Sequence, residues 1–185
     1  KELTKLGVKI TIGQSFELIP KDTELIVYTL AIPHYDKKLF DQVVNSGIPY
    51  RSYPQTLGLV TTGKYTIAIS GTHGKTTTTA MIAKILIDAG KDPSVVVGSL
   101  LKEFKSNFIV GKSDLFIVEA CEYERSFLNL KPKILVITNI EAEHLDYYKD
   151  LADIQSAFKQ LSTQSEKVIS DYSKYLEKVP KLSVP

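Results

Sequence analysis

Residues 65–90 read YTIAISGTHGKTTTTAMIAKILIDAG, and the fold of the chain turns on them. The stretch opens with an apolar, β-branched run from Tyr65 to Ile69, passes two glycines, Gly71 and Gly74, and continues with alanine and isoleucine at helical spacing. That pattern predicts strand, tight loop, helix. Such a loop lets backbone N–H groups curl around an anion, because glycine adopts the required dihedrals and leaves no side chain in the way. A helix beginning near Lys75 adds its positive dipole end at the same point. Lys75 supplies a mobile charge for the outer phosphates, and the Thr76 hydroxyl stands where a phosphate-bound Mg²⁺ needs an oxygen ligand. The expected ligand is a nucleoside triphosphate with Mg²⁺.

The general phosphate loop has the form G-x-x-x-x-G-K-[ST], and its first glycine would fall at Ile69, so this loop departs from the generic pattern. A glycine-containing turn before a threonine-rich helix start is the plain alternative. The strand-to-helix junction around Gly74-Lys75-Thr76 favours the phosphate reading.

Working outward, the flanking sequence repeats the theme of apolar strand, polar turn and helix. Before the loop, strands are expected at 8–12, with Val8, Ile10 and Ile12 alternating, at 25–29 and at 48–51. Between the last two, 36–46 carries Leu39, Phe40, Val43 and Val44 at helical spacing, begins with a capping aspartate and stops at Gly47. The polar interval 61–64 is taken as a domain boundary, giving regions 1–62 and 63–185. Downstream, strands are expected at 95–97, 115–118, 134–137 and 168–170, with helices at 75–89 and 151–161. The fold class is α/β: a partial Rossmann-like N-terminal domain, then a phosphate-loop domain on a parallel sheet, doubly wound.

Composition limits the function. With 43% apolar residues in 185, the chain can bury a core, and a net charge of +2 with both signs interspersed argues against nucleic acid as a partner. One cysteine, Cys121, excludes an internal disulfide. That, with no signal peptide and no apolar run long enough for a bilayer, leads to an expected cytoplasmic location without membrane insertion. Lys1 is not an initiator methionine, and the N-terminal part of the protein is expected to be missing.

In open parallel sheets ligands bind beyond the carboxyl ends of the strands. Glu119 ends the apolar 115–118 run, a rigid position for a second Mg²⁺ ligand, although helix capping or a solvated strand end is the plain alternative. Glu122 and Glu124 read as solvated or substrate-facing and not as metal ligands. His144 follows the 134–137 run in a turn with Glu141, Glu143 and Asp146, and composition alone favours a satisfied surface histidine. His73 reads as a contact near the phosphates, neither acid nor base, and Cys121 as a packed thiol. Arg125 pairs either with a substrate carboxylate or with Glu122.

Three blocks carry a family resemblance. Gly71-Thr72-His73-Gly74-Lys75-Thr76-Thr77 resembles the ATP loop of the Mur ligases, 119–128 (EACEYERSFL) their acidic segment, and 138–146 (TNIEAEHLD) their metal-binding turn. The histidine at the third position of the loop is similar to the alanine-adding branch. The resemblance spans nearly the whole chain and is weak before Ile48. It implies ATP bound by residues 71–77, catalytic roles for Lys75, Glu119 and His144, and Mg²⁺ held by Thr76, Glu119 and His144, which reverses the plain reading of His144. The family usually has aspartate where this chain has Glu143. Asn107 and Gly111 are implied as substrate contacts. Lys159 lies near the place where sibling enzymes carry a carbamoylated lysine, which the alanine-adding branch lacks, so an ordinary surface lysine is expected.

The implied substrates are UDP-N-acetylmuramate and L-alanine, joined in peptidoglycan precursor synthesis. A carboxylate is a poor electrophile, and ATP activates it as an acyl phosphate. The resemblance makes region 1–62 the end of the uridine-nucleotide domain and region 63–185 the ATP-binding domain. The glycine-rich start of the former and the third domain of the family are not in this sequence, so the isolated chain is expected to bind ATP without completing ligation. Three other readings stay open: a tripeptide- or glutamate-adding relative, a plain phosphate-loop nucleotide-binding module, and a non-catalytic scaffold.

Overall fold

A computed structural model of the chain, which describes residues 2–101 and 106–171, divides into two units, Lys1–Thr56 and Leu57–Pro185. The first unit starts with α1 (Glu2–Lys5) and a 3₁₀ turn (Phe16–Leu18). Strand β1 (Ile26–Tyr28), helices α2 (Ile32–Tyr35) and α3 (Lys37–Asn45), and strand β2 (Tyr50–Ser52) follow. The Asp36 carboxylate caps α3 by accepting from the Leu39 N–H at 2.9 Å, which satisfies a donor the helix cannot pair internally. β1 and β2 run parallel with Ile26 opposite Tyr50. The rings of Tyr28, Phe40 and Tyr50 pack with centroids 5.1–6.4 Å apart.

The alternating segment 8–12 does not form the expected strand. Val8, Ile10 and Ile12 are exposed, and among the described residues β1 and β2 pair only with each other in this unit. Alternation selects a face but needs a neighbouring strand to take up the N–H and C=O groups. One helix was not anticipated, α4 (Tyr53–Val60), which crosses the division between the units. Its signal was in the sequence: the Ser52 N–H donates to Gln55 Oε1 at 2.9 Å and the Gln55 N–H to Ser52 Oγ at 3.4 Å, a reciprocal capping pair in an S-x-x-Q spacing.

The second unit contains β3 (Tyr65–Ser70), α5 (Lys75–Asp88), β4 (Ser94–Leu101), β5 (Ser106–Ile109) and β6 (Leu115–Glu119). A 3₁₀ segment (Tyr123–Asn129), β7 (Ile134–Ile137), α6 (Leu151–Thr163) and β8 (Lys167–Ile169) complete it. The sheet order is β5-β4-β6-β3-β7-β8. All neighbours are parallel except the β4–β5 hairpin at one edge, which was not expected. Residues 102–105 and the segment 172–185 of the expected second region lie outside the described residues.

Strand periodicity of two separates the core into layers. Ala68, Phe116, Val118, Leu135 and Ile137 point to the face covered by α6 and the 3₁₀ segment, where they meet Phe127, Ile154, Ala157, Phe158 and Leu161. Ile69, Val95, Val97 and Ile117 point to the other face, against Ala80, Ala83 and Leu86 of α5. Helices therefore cover both faces, as a doubly wound sheet requires. The chain leaves β3 toward β4 on one side and later returns to β7 on the other, so the carboxyl end of β3 is a topological switch point. Phe158 is fully buried and meets the Phe127 ring edge-on at 5.1 Å. We expect Phe158→Ala to destabilise the second unit by about 3–5 kcal/mol, because it removes a large buried ring and leaves a cavity; denaturant unfolding monitored by circular dichroism measures this.

Candidate functional site

Three loops leave the carboxyl ends of adjacent strands β6, β3 and β7. The loop after β3 rests directly on the turn after β7. Gly71 has φ 133, and a Cβ there would overlap Thr138 Oγ1 and come within 2.8 Å of the Asn139 carbonyl, so only glycine fits. The Thr72 N–H donates to the Asn139 carbonyl at 3.1 Å, and Thr72 Oγ1 accepts from the Glu141 N–H at 2.8 Å. The His73 N–H donates to Asn139 Oδ1 at 2.8 Å, and the Thr138 hydroxyl donates to the His73 carbonyl at 2.6 Å. Gly74, with φ 80, then turns the chain into α5.

Thr76, in the first turn of α5, faces the end of β6. Its hydroxyl lies 3.0 and 3.1 Å from the two Glu119 carboxylate oxygens. The Gly98 N–H of β4 holds the same carboxylate at 2.9 Å, and a Cβ on Gly98 would stand 3.1 Å from Glu119 Oε1. The missing side chain at Gly98 leaves the carboxylate its place.

Glu122 connects the rest. It is buried, with 2% of its surface exposed. Lys75 Nζ donates to its Oε1 at 2.9 Å and also to the carbonyls of Gly71 at 2.5 Å and Thr72 at 3.1 Å. His144 Nε2 lies 3.4 Å from that same oxygen and 4.0 Å from Glu143 Oε2. Glu122 Oε2 is buried with no hydrogen-bond partner. The donors of Glu122, Glu143 and His144 lie within 4.8 Å of one another. An orphaned buried carboxylate oxygen among oxygen donors and one imidazole fits a divalent cation such as Mg²⁺, which favours oxygen ligands.

The structure thus brings Lys75, Thr76, Glu119 and His144 to one crevice. His73 is exposed at its edge, 3.8 Å from Glu141 Oε2, and Thr77 is exposed in the first turn of α5. Several expectations change. Glu122 is neither solvated nor free to face a substrate, because Lys75 and His144 enclose it; Glu124 is half-buried. Arg125 pairs with Asp153 and stacks 5.4 Å over the Tyr148 ring, so neither expected partner holds its side chain. Gly111 is packed against Asp92 and Pro93, and its N–H donates to Ser94 Oγ at 3.1 Å. That position is at the amino end of β4, at the opposite end of the sheet from the three loops. Asn107 is exposed on the edge strand β5, and Lys159 is exposed on α6.

Cys121 exposes surface as a residue, so it is not the packed thiol expected. Burial nonetheless raises its thiol pKa above the usual value, with Glu122 and Glu119 adding to the rise and a backbone hydrogen bond at Tyr123 and the charge of Lys75 opposing it. Sequence reasoning missed Glu122, Gly98 and Tyr148. Only the first carried a signal, a second carboxylate three residues after a strand-ending one.

The Thr72 hydroxyl joins the two central loops, and we expect Thr72→Val to cost about 1–3 kcal/mol, since the Glu141 N–H loses its acceptor. Hydrogen exchange should show faster exchange at the Glu141 amide and little change at β6 amides.

Known proteins resemble this chain in sequence and in fold. Residues 69–179 match the Mur ligase middle domain. A UDP-N-acetylmuramate--L-alanine ligase from Agathobacter rectalis is 44% identical over 166 residues, covering 89% of this chain and 36% of that protein. One of the same name from Clostridium botulinum (strain Langeland) is 48% identical over 161 residues, covering 86% and 35%. The chain spans about a third of the length of the curated relatives it matches. Among solved structures, the UDP-N-acetylmuramate-alanine ligase of Thermotoga maritima superposes with a TM-score of 0.79 at 26% identity, covering 98% of this chain and 44% of that one. The UDP-N-acetylmuramate:L-alanyl-gamma-D-glutamyl-meso-diaminopimelate ligase of Neisseria meningitides gives 0.81 at 25%, covering 97% and 64%. A glycine loop, an acidic strand end and a histidine turn meeting at one switch point, matched over most of the chain by enzymes of one kind, place this chain in the Mur ligase family.

Proposed function

We propose that this chain supplies the ATP-binding centre of a ligase that joins L-alanine to UDP-N-acetylmuramate, with residues 1–62 ending the uridine-nucleotide domain and 63–185 forming the ATP-binding domain. The observation that carries this reading is the meeting of Lys75, Thr76, Glu119, Glu122 and His144 at the carboxyl end of β3. The names of the relatives supply the substrates.

In this reading the amides of residues 71–77 and the amino end of α5 receive the phosphates of ATP. Lys75 exchanges its bonds to the loop carbonyls for phosphate oxygens and stabilises charge on the transferring phosphoryl group. Thr76 and Glu119 would hold one Mg²⁺, and His144 with Glu122 a second. Bound there, the ions offset charge on the triphosphate and the acceptor carboxylate. The terminal phosphoryl group passes to the muramoyl carboxylate, forming an acyl phosphate and ADP. The alanine amine adds to the acyl carbon, and the tetrahedral intermediate expels phosphate as the amine proton is lost. No protein nucleophile is needed; the side chains position and neutralise. Among the described residues no helix is long and apolar enough to cross a membrane.

A second reading, addition of a tripeptide, is favoured by the good superposition on the Neisseria enzyme. The full-length protein carrying this chain decides between them. ADP release should require both UDP-N-acetylmuramate and L-alanine, and Lys75→Ala should lower kcat by about 10²–10³-fold while EDTA abolishes turnover. Release that needs the tripeptide selects the second reading, and release that ignores UDP-N-acetylmuramate marks a plain NTPase. For the 185-residue chain alone, a rise in Tm with Mg-ATP but no labelled alanine in nucleotide product is the expected result.

A further inference from the structure

Tyr148 is among the largest fully buried side chains, with 1% of its surface exposed, and lies beside the crevice without facing it. It touches both walls of the proposed second cation site. Its backbone N–H donates to the His144 carbonyl at 2.8 Å, closing the turn in which His144 has a left-handed φ of 55. Its hydroxyl donates to the Glu122 carbonyl at 2.5 Å.

Resting on the metal-assisted reading above, we propose that Tyr148 is a positioning residue: by tying the Glu122 backbone to the His144 turn, it sets the 3.4 Å approach of the two side chains and so the affinity for the second divalent cation. The hydroxyl is suited to this and less needed for folding. The Glu122 carbonyl also accepts the Arg125 N–H at 2.9 Å, so removing the phenolic OH leaves no orphaned carbonyl. A phenylalanine keeps the ring that packs in the core and under the Arg125 guanidinium. Groups that orient ligands from behind commonly change metal affinity by about 10–100-fold when removed.

The test uses the full-length protein with Mn²⁺ as probe and a non-hydrolysable ATP analogue at saturation, with free Mn²⁺ counted by electron paramagnetic resonance. Wild type should bind two Mn²⁺ ions, and Tyr148→Phe should weaken one of them by about tenfold or more. In turnover the Mg²⁺ activation constant should rise by a similar factor, while KM for ATP stays within about twofold. Two ions bound by Tyr148→Phe as tightly as by wild type would overturn the inference. So would equal weakening of both ions together with a large fall in Tm, which marks a purely structural role. A wild-type protein that binds only one ion would instead refute the underlying two-cation reading.

Discussion

A buried carboxylate needs partners for its oxygens, and Glu122, with 2% of its surface exposed, is such a group. Lys75 and His144 approach the same oxygen from two different loops, and the second oxygen is left without a partner. The phosphate loop, the acidic segment and the histidine turn are therefore bound to one another through a single charge. Breaking such a pair by removing one member is costly, because the other stays buried and unpaired. In the proposed reaction, a triphosphate that drew Lys75 outward would take a positive charge from Glu122, and a divalent cation would restore it.

The sheet makes this convergence possible. Because β3 lies between β6 and β7, the three loops that follow these strands are neighbours although their residues are up to about seventy positions apart in sequence. In register, Ile69 stands opposite both Glu119 and Val136, so the strands end almost level and their loops emerge side by side. Gly71 and Gly98 then remove the side chains that would hold the loops apart or crowd Glu119. Rigid strands fix where Glu119 begins, and hydrogen bonds from Thr72, His73 and Thr138 fix how the loops lie against each other.

What could be read from sequence followed from periodicity and local chemistry. The strand-loop-helix at 65–88, the Asp36 cap and the parallel strands around β3 each have a signal within a few residues. Segment 8–12 misled because alternation says which face is apolar and not whether a partner strand is present. β5 escaped because an antiparallel edge strand of four residues, SNFI, carries little pattern. Glu122 was misread for a different reason. Its burial depends on Lys75, 47 positions away, and on a histidine turn that only the folded sheet brings near. Arg125 likewise found its partner, Asp153, on α6. Long-range pairing of charges is set by topology, and no spacing rule within one segment can supply it.

Among the described residues four non-glycine residues have a left-handed φ: three lie beside Glu122, and the fourth, Asp92, precedes the amino end of β4. Glu124, Arg125 and His144 all have φ near +50, a region that costs a non-glycine residue about 1–3 kcal/mol unless its surroundings hold it. The first two sit just after Glu122, and the third faces it. Hydrogen bonds offset the strain: the Arg125 N–H donates to the Glu122 carbonyl, and the Tyr147 and Tyr148 N–H groups donate to that of His144. A fold selected only for stability would place glycine or asparagine at such positions. Here an acid, a cation and a histidine occupy them, but only the His144 side chain reaches Glu122, while Arg125 turns to Asp153 and the Tyr148 ring. At His144 strain and buried charge meet, because the turn that holds its left-handed φ also brings its imidazole within 3.4 Å of Glu122.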